Sequence, residues 1–354
     1  MKITGWIYNM NVLSLFNGFS GLQLALENIK AESGVHYSSE INKYPNQATQ
    51  ALFPDTIQLG SVTEWREWDI DWPSIDLVTG GFPCQTWSMA GKQLGDKDER
   101  GMLFWVMLDI IKHVKHYNPK ADFLIENVKM KKEFEEYITT HTENALGYVH
   151  KILINSALVS AQNRNRYYWT SFVVEQPEDK GILLKDIIEH DGSLPVARPC
   201  ELRDKSPMPS ALCHHVANAT DINSNESNKR VYADTGKGPT LTTMGGGHRE
   251  PKVLIYHPAS IVGRRLNERG VRDDYNKSVP ITQCLQVKHN PSKTGCLTTV
   301  DKDNVLSTEK PGRYPDAYGE NPPKYRKLTP RECFRLQTVP EHHIDTLLSA
   351  GISN

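Results

Sequence analysis

The stretch Val12-Leu13-Ser14-Leu15-Phe16-Asn17-Gly18-Phe19-Ser20-Gly21, continuing to Lys30, decides the fold. A short apolar run, Val12 to Phe16, reads as a buried strand, a glycine turn closes it, and Gly21 to Lys30 carries helical spacing. The same unit repeats outward along the chain. Val35 to Glu40 and Ile75 to Thr79 read as strands, Met102 to Tyr117 as a helix, Phe123 to Glu126 as a strand and Lys129 to Leu146 as a charged helix. Tyr148 to Ala157 and Tyr167 to Val174 complete the set. Strands alternating with helices at this spacing predict an α/β fold with a doubly wound, mostly parallel sheet.

The pattern breaks after Gln176. Residues 177–325 are rich in Gly, Pro, Asn, Ser and Thr and hold only short Thr/Val-rich segments, which predicts a smaller, mainly β domain. Two segments echo each other, Lys237-Gly238-Pro239-Thr240-Leu241-Thr242-Thr243 and Lys293-Thr294-Gly295-Cys296-Leu297-Thr298-Thr299, and read as related hairpins. Helical patterning returns over 328–350, so residues 326–354 are expected to pack back on the first domain, residues 1–176.

A chain of 354 residues with 38% hydrophobic residues can build two cores. No apolar run reaches the ~20 residues a spanning helix needs, and the N-terminus has no signal-peptide pattern. The six cysteines form no CxxC pair, and Cys200, Cys213, His214 and His215 lack paired ligand spacing. Reduced thiols, a cytoplasmic setting and no metal are therefore expected. The net charge of −1 is unevenly spread: residues 1–180 carry 17 Lys+Arg against 22 Asp+Glu, the remainder 24 against 20. The balance moves from −5 to +4, a mild bias towards an anionic partner on the second domain.

Four positions fall at the carboxyl ends of predicted strands, where doubly wound sheets hold ligands. The first is Phe16-Asn17-Gly18-Phe19-Ser20-Gly21, whose glycines allow close backbone approach and open a helix. Glu40 ends the second strand, where a carboxylate can accept from ribose hydroxyls. Together they describe a nucleoside site without a phosphate-binding lysine. The third is Gly80-Gly81-Phe82-Pro83-Cys84-Gln85, which presents a thiol from a rigid turn rather than from inside an apolar run. The fourth is Glu126-Asn127-Val128. A nucleophile and a carboxylic acid facing one pocket are what covalent attack on a pyrimidine requires.

Six blocks in order make the chain resemble the DNA cytosine-5 methyltransferases of phage and bacterial type. They are Leu15 to Gly21, Gly81-Phe82-Pro83-Cys84-Gln85, Arg100-Gly101-Met102-Leu103-Phe104, Glu126-Asn127-Val128, Gln162-Asn163-Arg164-Asn165-Arg166 and Arg326 to Gln337. The resemblance spans nearly the whole chain and is weakest from 180 to 320. It implies a Rossmann-like, S-adenosylmethionine-dependent methyltransferase domain with a target-recognition domain over 177–325.

The resemblance also implies roles. Cys84 adds to C6 of cytosine, C5 receives the methyl group, and loss of the C5 proton with elimination of the thiol releases 5-methylcytosine. Glu126 meets the N3 and N4 edge, while Arg166 and Arg164 hold O2 and orient the acid. Phe16, Asn17, Gly18, Ser20, Gly21, Glu40, Ile41, Ser61, Val62, Pro83 and Leu103 form the cofactor set. Because duplex bases are stacked, the target must be extruded. Thr86 to Arg100 is implied as the loop that closes over it, with Gln85, Trp87, Ser88, Lys92 and Arg100 meeting DNA. Thr242, Thr243, Thr298 and Thr299 do so from the second domain.

Three departures from the family pattern stand out. Asn17 replaces the commoner Ala or Asp, Ser61 stands where an aspartate usually meets the adenine amino group, and the last block, a Gly-Asn pair with a terminal helix, is missing. The expectation is weak cofactor binding by this chain alone, restored by a second chain carrying that block. An RNA target, as in the related transfer-RNA enzymes, and a catalytically impaired DNA-binding subunit are the alternative readings. The flanking sequence of the target and the biological use (restriction-modification, phage self-protection or regulation) stay open.

Overall fold

The computed structural model describes residues 9–31, 33–83, 99–189, 198–203, 212–241, 247–254, 257–265, 275–287, 304–307 and 324–352. They fall into two compact units: residues 1–159, 164–180 and 339–353 in the first, and residues 160–163 and 181–338 in the second.

The first unit runs β1 (Met10–Leu15), α1 (Gly21–Asn28), β2 (Ser33–Ser39), α2 (Lys43–Leu52), β3 (Ile57–Gln58), β4 (Leu77–Gly80), α3 (Glu99–Tyr117), β5 (Asp122–Val128), α4 (Lys132–Leu146), β6 (His150–Asn155) and β7 (Asn165–Thr170). Its seven-stranded sheet has the order β3-β2-β1-β4-β5-β7-β6. The pairs among β1 to β5 are parallel, and β7 runs antiparallel to both β5 and β6. The mostly parallel sheet read from the alternating pattern is therefore present.

Alternation along β1 explains why both faces are covered. Val12 packs with Met10, Leu26 and Leu77, while Leu13 and Leu15 point the other way into a larger core with Trp65, Phe104, Met107 and Trp169. Several boundaries differ from the sequence reading by a few residues, among them the ends of β1, α4 and β7 (Asn165–Thr170 rather than Tyr167 to Val174). Phe16 turns left-handed, at φ 53°, so β1 stops at Leu15. The charged helix starts at Lys132 rather than Lys129 and ends where Gly147 takes φ 87°.

The second unit holds β8 (Arg198–Leu202), β9 (His215–Ala219), the short α5 (Glu226–Lys229), β10 (Arg230–Tyr232), β11 (Lys252–Leu254), β12 (His257–Arg265), β13 (Ile281–Val287), β14 (Asn304–Ser307), β15 (Lys324–Lys327) and α6 (Pro330–Leu336). β10-β11-β15-β8-β9 close into a five-stranded barrel, and β13-β12-β14 form a separate antiparallel sheet. The mainly β character follows from the short Thr/Val-rich segments, which are too brief to form long helices.

Two expectations are corrected. Residues 326–354 do not pack as one segment. Leu328, Cys333 and Leu336 join the core of the second unit with Ile187, Tyr232 and Val253, whereas α7 (Glu341–Ser349) buries Ile344 and Leu347 in the first unit. The break falls where Thr338 turns left-handed, at φ 59°, just before Pro340 caps α7. Nor is Lys237 to Leu241 part of a hairpin strand. Lys237 donates its ammonium to the carbonyls of Ser160 and Ile182, and the Gly238 backbone exchanges hydrogen bonds with Ala161 and Asn163. The Gly238 backbone groups a hairpin partner would use are thereby taken. Thr242, Thr243, Thr298 and Thr299 lie outside the described residues.

A buried ion pair anchors α6. Glu332, wholly buried, accepts from Arg326 Nη1 at 2.7 Å and Nη2 at 2.6 Å, from Thr329 N at 2.7 Å and from Glu189 N at 2.6 Å. Thr329 Oγ1 in turn accepts from Glu332 N at 3.1 Å, completing a capping box. Replacing Glu332 by Gln leaves the Arg326 guanidinium buried without its counter-charge. Urea unfolding of Glu332→Gln is expected to report a loss of about 3–5 kcal/mol; a loss within experimental error would mean that the pair contributes nothing.

Candidate active site

Register places the site. Leu15 pairs with Ser39 on one side and Gly80 on the other, and Gly80 pairs with Ile125. The loops after β1, β2 and β4 and the last residues of β5 therefore leave the sheet at one level and on one edge.

The turn after β1 is held in an unusual shape. Phe16, Gly18 and Ser20 all have positive φ, at 53°, 58° and 66°. A side chain at Gly18 would meet nothing within 4 Å, so the glycine answers the backbone angle and leaves open space beside it. Two sets of bonds fix this shape. The Glu40 carboxylate, at the end of β2, accepts from Gly18 N at 3.0 Å, Ile41 N at 2.9 Å and Asn42 N at 2.8 Å. Beneath the loop, Asn17 Nδ2 donates to Ser20 Oγ at 2.9 Å, and Ser20 Oγ lies 2.9 Å from Thr49 Oγ1 on α2. Asn17 thus works as an internal tie, which gives its departure from the family pattern a structural reason.

The other cofactor candidates divide. Ile41 is 75% exposed at the same edge, Leu103 is half-buried on α3, and Gly21 opens α1. Ser61 caps a turn of 3-10 helix over Val62–Glu67 by accepting from Thr63 N at 3.2 Å, so its hydroxyl has a structural task where an aspartate was expected. Val62 is buried among Trp65 and other core residues, so its side chain faces the core.

β5 and β7 build the charged part. Val128 pairs with Arg166 and Glu126 with Tyr168, so Glu126, Arg166 and Tyr168 share one face of the sheet, and alternation puts Arg164 on it too. Arg166 Nε lies 2.6 Å from Glu126 Oε1, and Arg164 Nη2 3.8 Å from the same oxygen. The alternate spacing in Gln162-Asn163-Arg164-Asn165-Arg166 is what brings both guanidinium groups to one carboxylate. Burial, with Glu126 next to it, raises the Tyr168 hydroxyl pKa above the usual tyrosine range.

The turn carrying the proposed nucleophile is braced from β5. Asn127, fully buried, donates from Nδ2 to the Phe82 carbonyl at 3.0 Å, and Phe82 packs on Phe104 with ring centroids 5.1 Å apart. A Cβ on Gly81 would sit 2.7 Å from Glu126 Oε2, so the second glycine of Gly80-Gly81 lets the turn pass directly over the acid. Pro83 is the last described residue of this turn. Cys84, Gln85, Trp87, Ser88 and Lys92 lie outside the described residues, and Arg100 lies in the first turn of α3. Among the described cysteines, Cys200 and Cys213 are poor nucleophiles, because burial pushes the Cys200 thiol up to about 12 and raises Cys213 as well.

Sequence reasoning missed Thr49, Asn127 and the steric role of Gly81. Asn127 was legible as the neighbour of Glu126 in a strand-end dipeptide. Thr49 carries no signal of its own, since it sits 32 residues from the loop it supports.

The sheet order with a reversed β7, the glycine turn and the strand-end acid together define a Rossmann-like methyltransferase. The family model for C-5 cytosine-specific DNA methylases matches residues 10–346, and the chain belongs to that family, whose members are DNA cytosine methyltransferases. The orphan methyltransferase M.SPBetaI of Bacillus phage SPbeta is 27% identical over 445 residues, covering 98% of this chain and 92% of its own length. The type II methyltransferase M1.ScrFI of Lactococcus lactis subsp. cremoris is 38% identical over 167 residues, 46% of this chain and 41% of its own. Among solved structures, the Entamoeba histolytica methyltransferase EhMeth aligns over 98% of this chain and 94% of its own, at 14% identity and a TM-score of 0.48. Among the described residues no helix is long and apolar enough to cross a membrane.

Gly81→Ala drives a methyl group against the Glu126 carboxylate and must displace either the acid or the turn. Displacements of about 1 Å cost on the order of 100-fold in rate. Methyl transfer by Gly81→Ala is expected to fall by that order while its circular dichroism matches the parent; unimpaired transfer would show that the close approach is not needed.

Proposed function

We propose that this chain transfers a methyl group from S-adenosylmethionine to C5 of a cytosine extruded from a specific double-stranded DNA sequence, using Cys84 as the nucleophile. The observation that carries the proposal is the Glu126 carboxylate clamped by Arg166 at 2.6 Å beneath the turn that leads into Cys84.

The residues fit the cofactor. The turn over Phe16, Asn17, Gly18 and Ser20, left-handed at Phe16, Gly18 and Ser20, leaves open space above Gly18, Gly21 opens α1, and Glu40 offers carboxylate oxygens beside it for ribose hydroxyls. Ile41 presents an exposed apolar surface for the adenine, with Ser61, the Val62 backbone, Pro83 and Leu103 completing the set. When bound, S-adenosylmethionine supplies the electrophilic methyl group.

The remaining steps belong to side chains of this protein. The Cys84 thiolate bonds to C6 of cytosine and pushes electron density to C5, and Glu126 stabilises the charge that develops at N3 and N4. Arg166, assisted by Arg164, keeps the acid in place and donates to O2. Loss of the C5 proton and expulsion of the thiol then restore the aromatic ring and the free enzyme. Gln85, Trp87, Ser88, Lys92 and Arg100 handle the opened duplex. Side chains of residues 177–325, including Thr242, Thr243, Thr298 and Thr299, read base edges in the major groove.

Two measurements test this. DNA carrying 5-fluorocytosine at the target is expected to trap a covalent adduct, because the C5 position cannot lose a proton, and Cys84→Ser is expected to abolish adduct and turnover while retaining DNA binding. An adduct that survives in Cys84→Ser overturns the nucleophile assignment. Separately, grafting residues 177–325 from a relative of different specificity is expected to move the methylated sequence with it, as read by bisulfite sequencing; specificity that stays put places recognition elsewhere.

A further inference from the structure

At the end of α1 opposite the glycine turn, three ligand-type side chains converge from two helices. Glu27 lies in the last turn of α1, and His342 and His343 lie in the first turn of α7. His343 Nε2 is 2.5 Å from Glu27 Oε2, and His342 Nε2 is 3.5 Å from Glu27 Oε1. The two imidazole centroids are 4.1 Å apart, and one ligand atom from each of the three residues falls within 4.8 Å of the others. His343 is buried against the Phe53 ring, at 5.5 Å, while His342 and Glu27 are open to solvent, with side chains 66% and 44% exposed.

We propose that Glu27, His342 and His343 form a site for a divalent transition ion, zinc or a close analogue, that ties α7 to α1. Adjacent residues on a helix ordinarily point in different directions. Here both ring nitrogens turn to the same carboxylate, one to each oxygen, which a single histidine–glutamate pair does not require. Two imidazole nitrogens and one carboxylate oxygen suit zinc, leaving at least one position for water, and suit magnesium and calcium poorly.

The spacing accommodates such an ion. Ligand atoms about 2.0–2.1 Å from a tetrahedral zinc lie about 3.3 Å apart, and the observed separations bracket that value. Entry of the ion replaces the direct His343–Glu27 hydrogen bond and opens it by under about 1 Å, a movement the exposed Glu27 side chain can make. The sequence expectation of no metal rested on Cys/His spacing and had no access to a site whose members lie 315 residues apart, from Glu27 to His342.

The test follows thermal unfolding of the full chain with zinc or magnesium, together with calorimetric titration of zinc. His342→Gln is the main variant, because its exposed side chain can be replaced without disturbing packing, and Glu27→Gln is the second. Zinc is expected to raise the midpoint of the parent chain by a few degrees, as a ligand specific to the folded state does, and magnesium is expected to leave it unchanged. His342→Gln is expected to keep the metal-free midpoint and to weaken zinc binding by about tenfold or more, since it deletes a direct ligand. No zinc-dependent rise in the parent chain overturns the proposal. A rise of equal size in His342→Gln also overturns it, by placing the bound zinc elsewhere, such as on cysteine thiols.

Discussion

The level at which the central strands end is the constraint from which the site follows. Parallel pairing of Leu15 with Ser39 and Gly80, and of Gly80 with Ile125, gives the chain no freedom to stagger these ends. A one-residue slip would reverse every side chain between the two cores, which both depend on alternation along β1. The apolar pattern that stabilises the sheet therefore also brings the glycine turn, Glu40, the Gly80-Gly81 turn and Glu126 together.

Around that edge the polar groups are arranged more for position than for net stability. Glu126 and Arg166 are only partly open to solvent, so the desolvation of both charges offsets much of their attraction. What the pair does secure is direction. With one oxygen held by Arg166, the carboxylate stays under Gly81, and Asn127 holds the same turn through the Phe82 carbonyl. The second unit uses charge in the opposite way, with Arg326 and Glu332 buried and four donors on the Glu332 carboxylate, so that loss of either partner strands the other.

Lys237 shows how a motif can differ in structure from what its residue types suggest. The Lys237 to Thr243 segment stood out because it recurs, and recurrence of β-forming residues suggested a hairpin. Its described part instead spends its hydrogen bonds on Ser160 to Asn163, the residues that lead into Arg164. Pro239 lacks a backbone N–H, so the segment was poorly suited to a strand ladder from the outset.

The sequence alone determined the class of fold, most of the strand and helix units of the first domain (though not α2 and β3) and the family, because those depend on local periodicity and on short ordered motifs. That Glu126, Arg164 and Arg166 belong together was implied by the family resemblance, and alternate spacing on one strand accounts only for the two arginines sharing a face. Tertiary structure decided the rest. Only packing reveals that Asn17 and Ser20 rest on Thr49, that Gly81 is a glycine because Glu126 lies 2.7 Å from where its Cβ would be, and that residues 326–354 divide between two cores. The physical reason is the same in each case: these contacts join residues far apart in the chain, and their strength comes from distance and burial in space, neither of which leaves a periodic trace in the sequence.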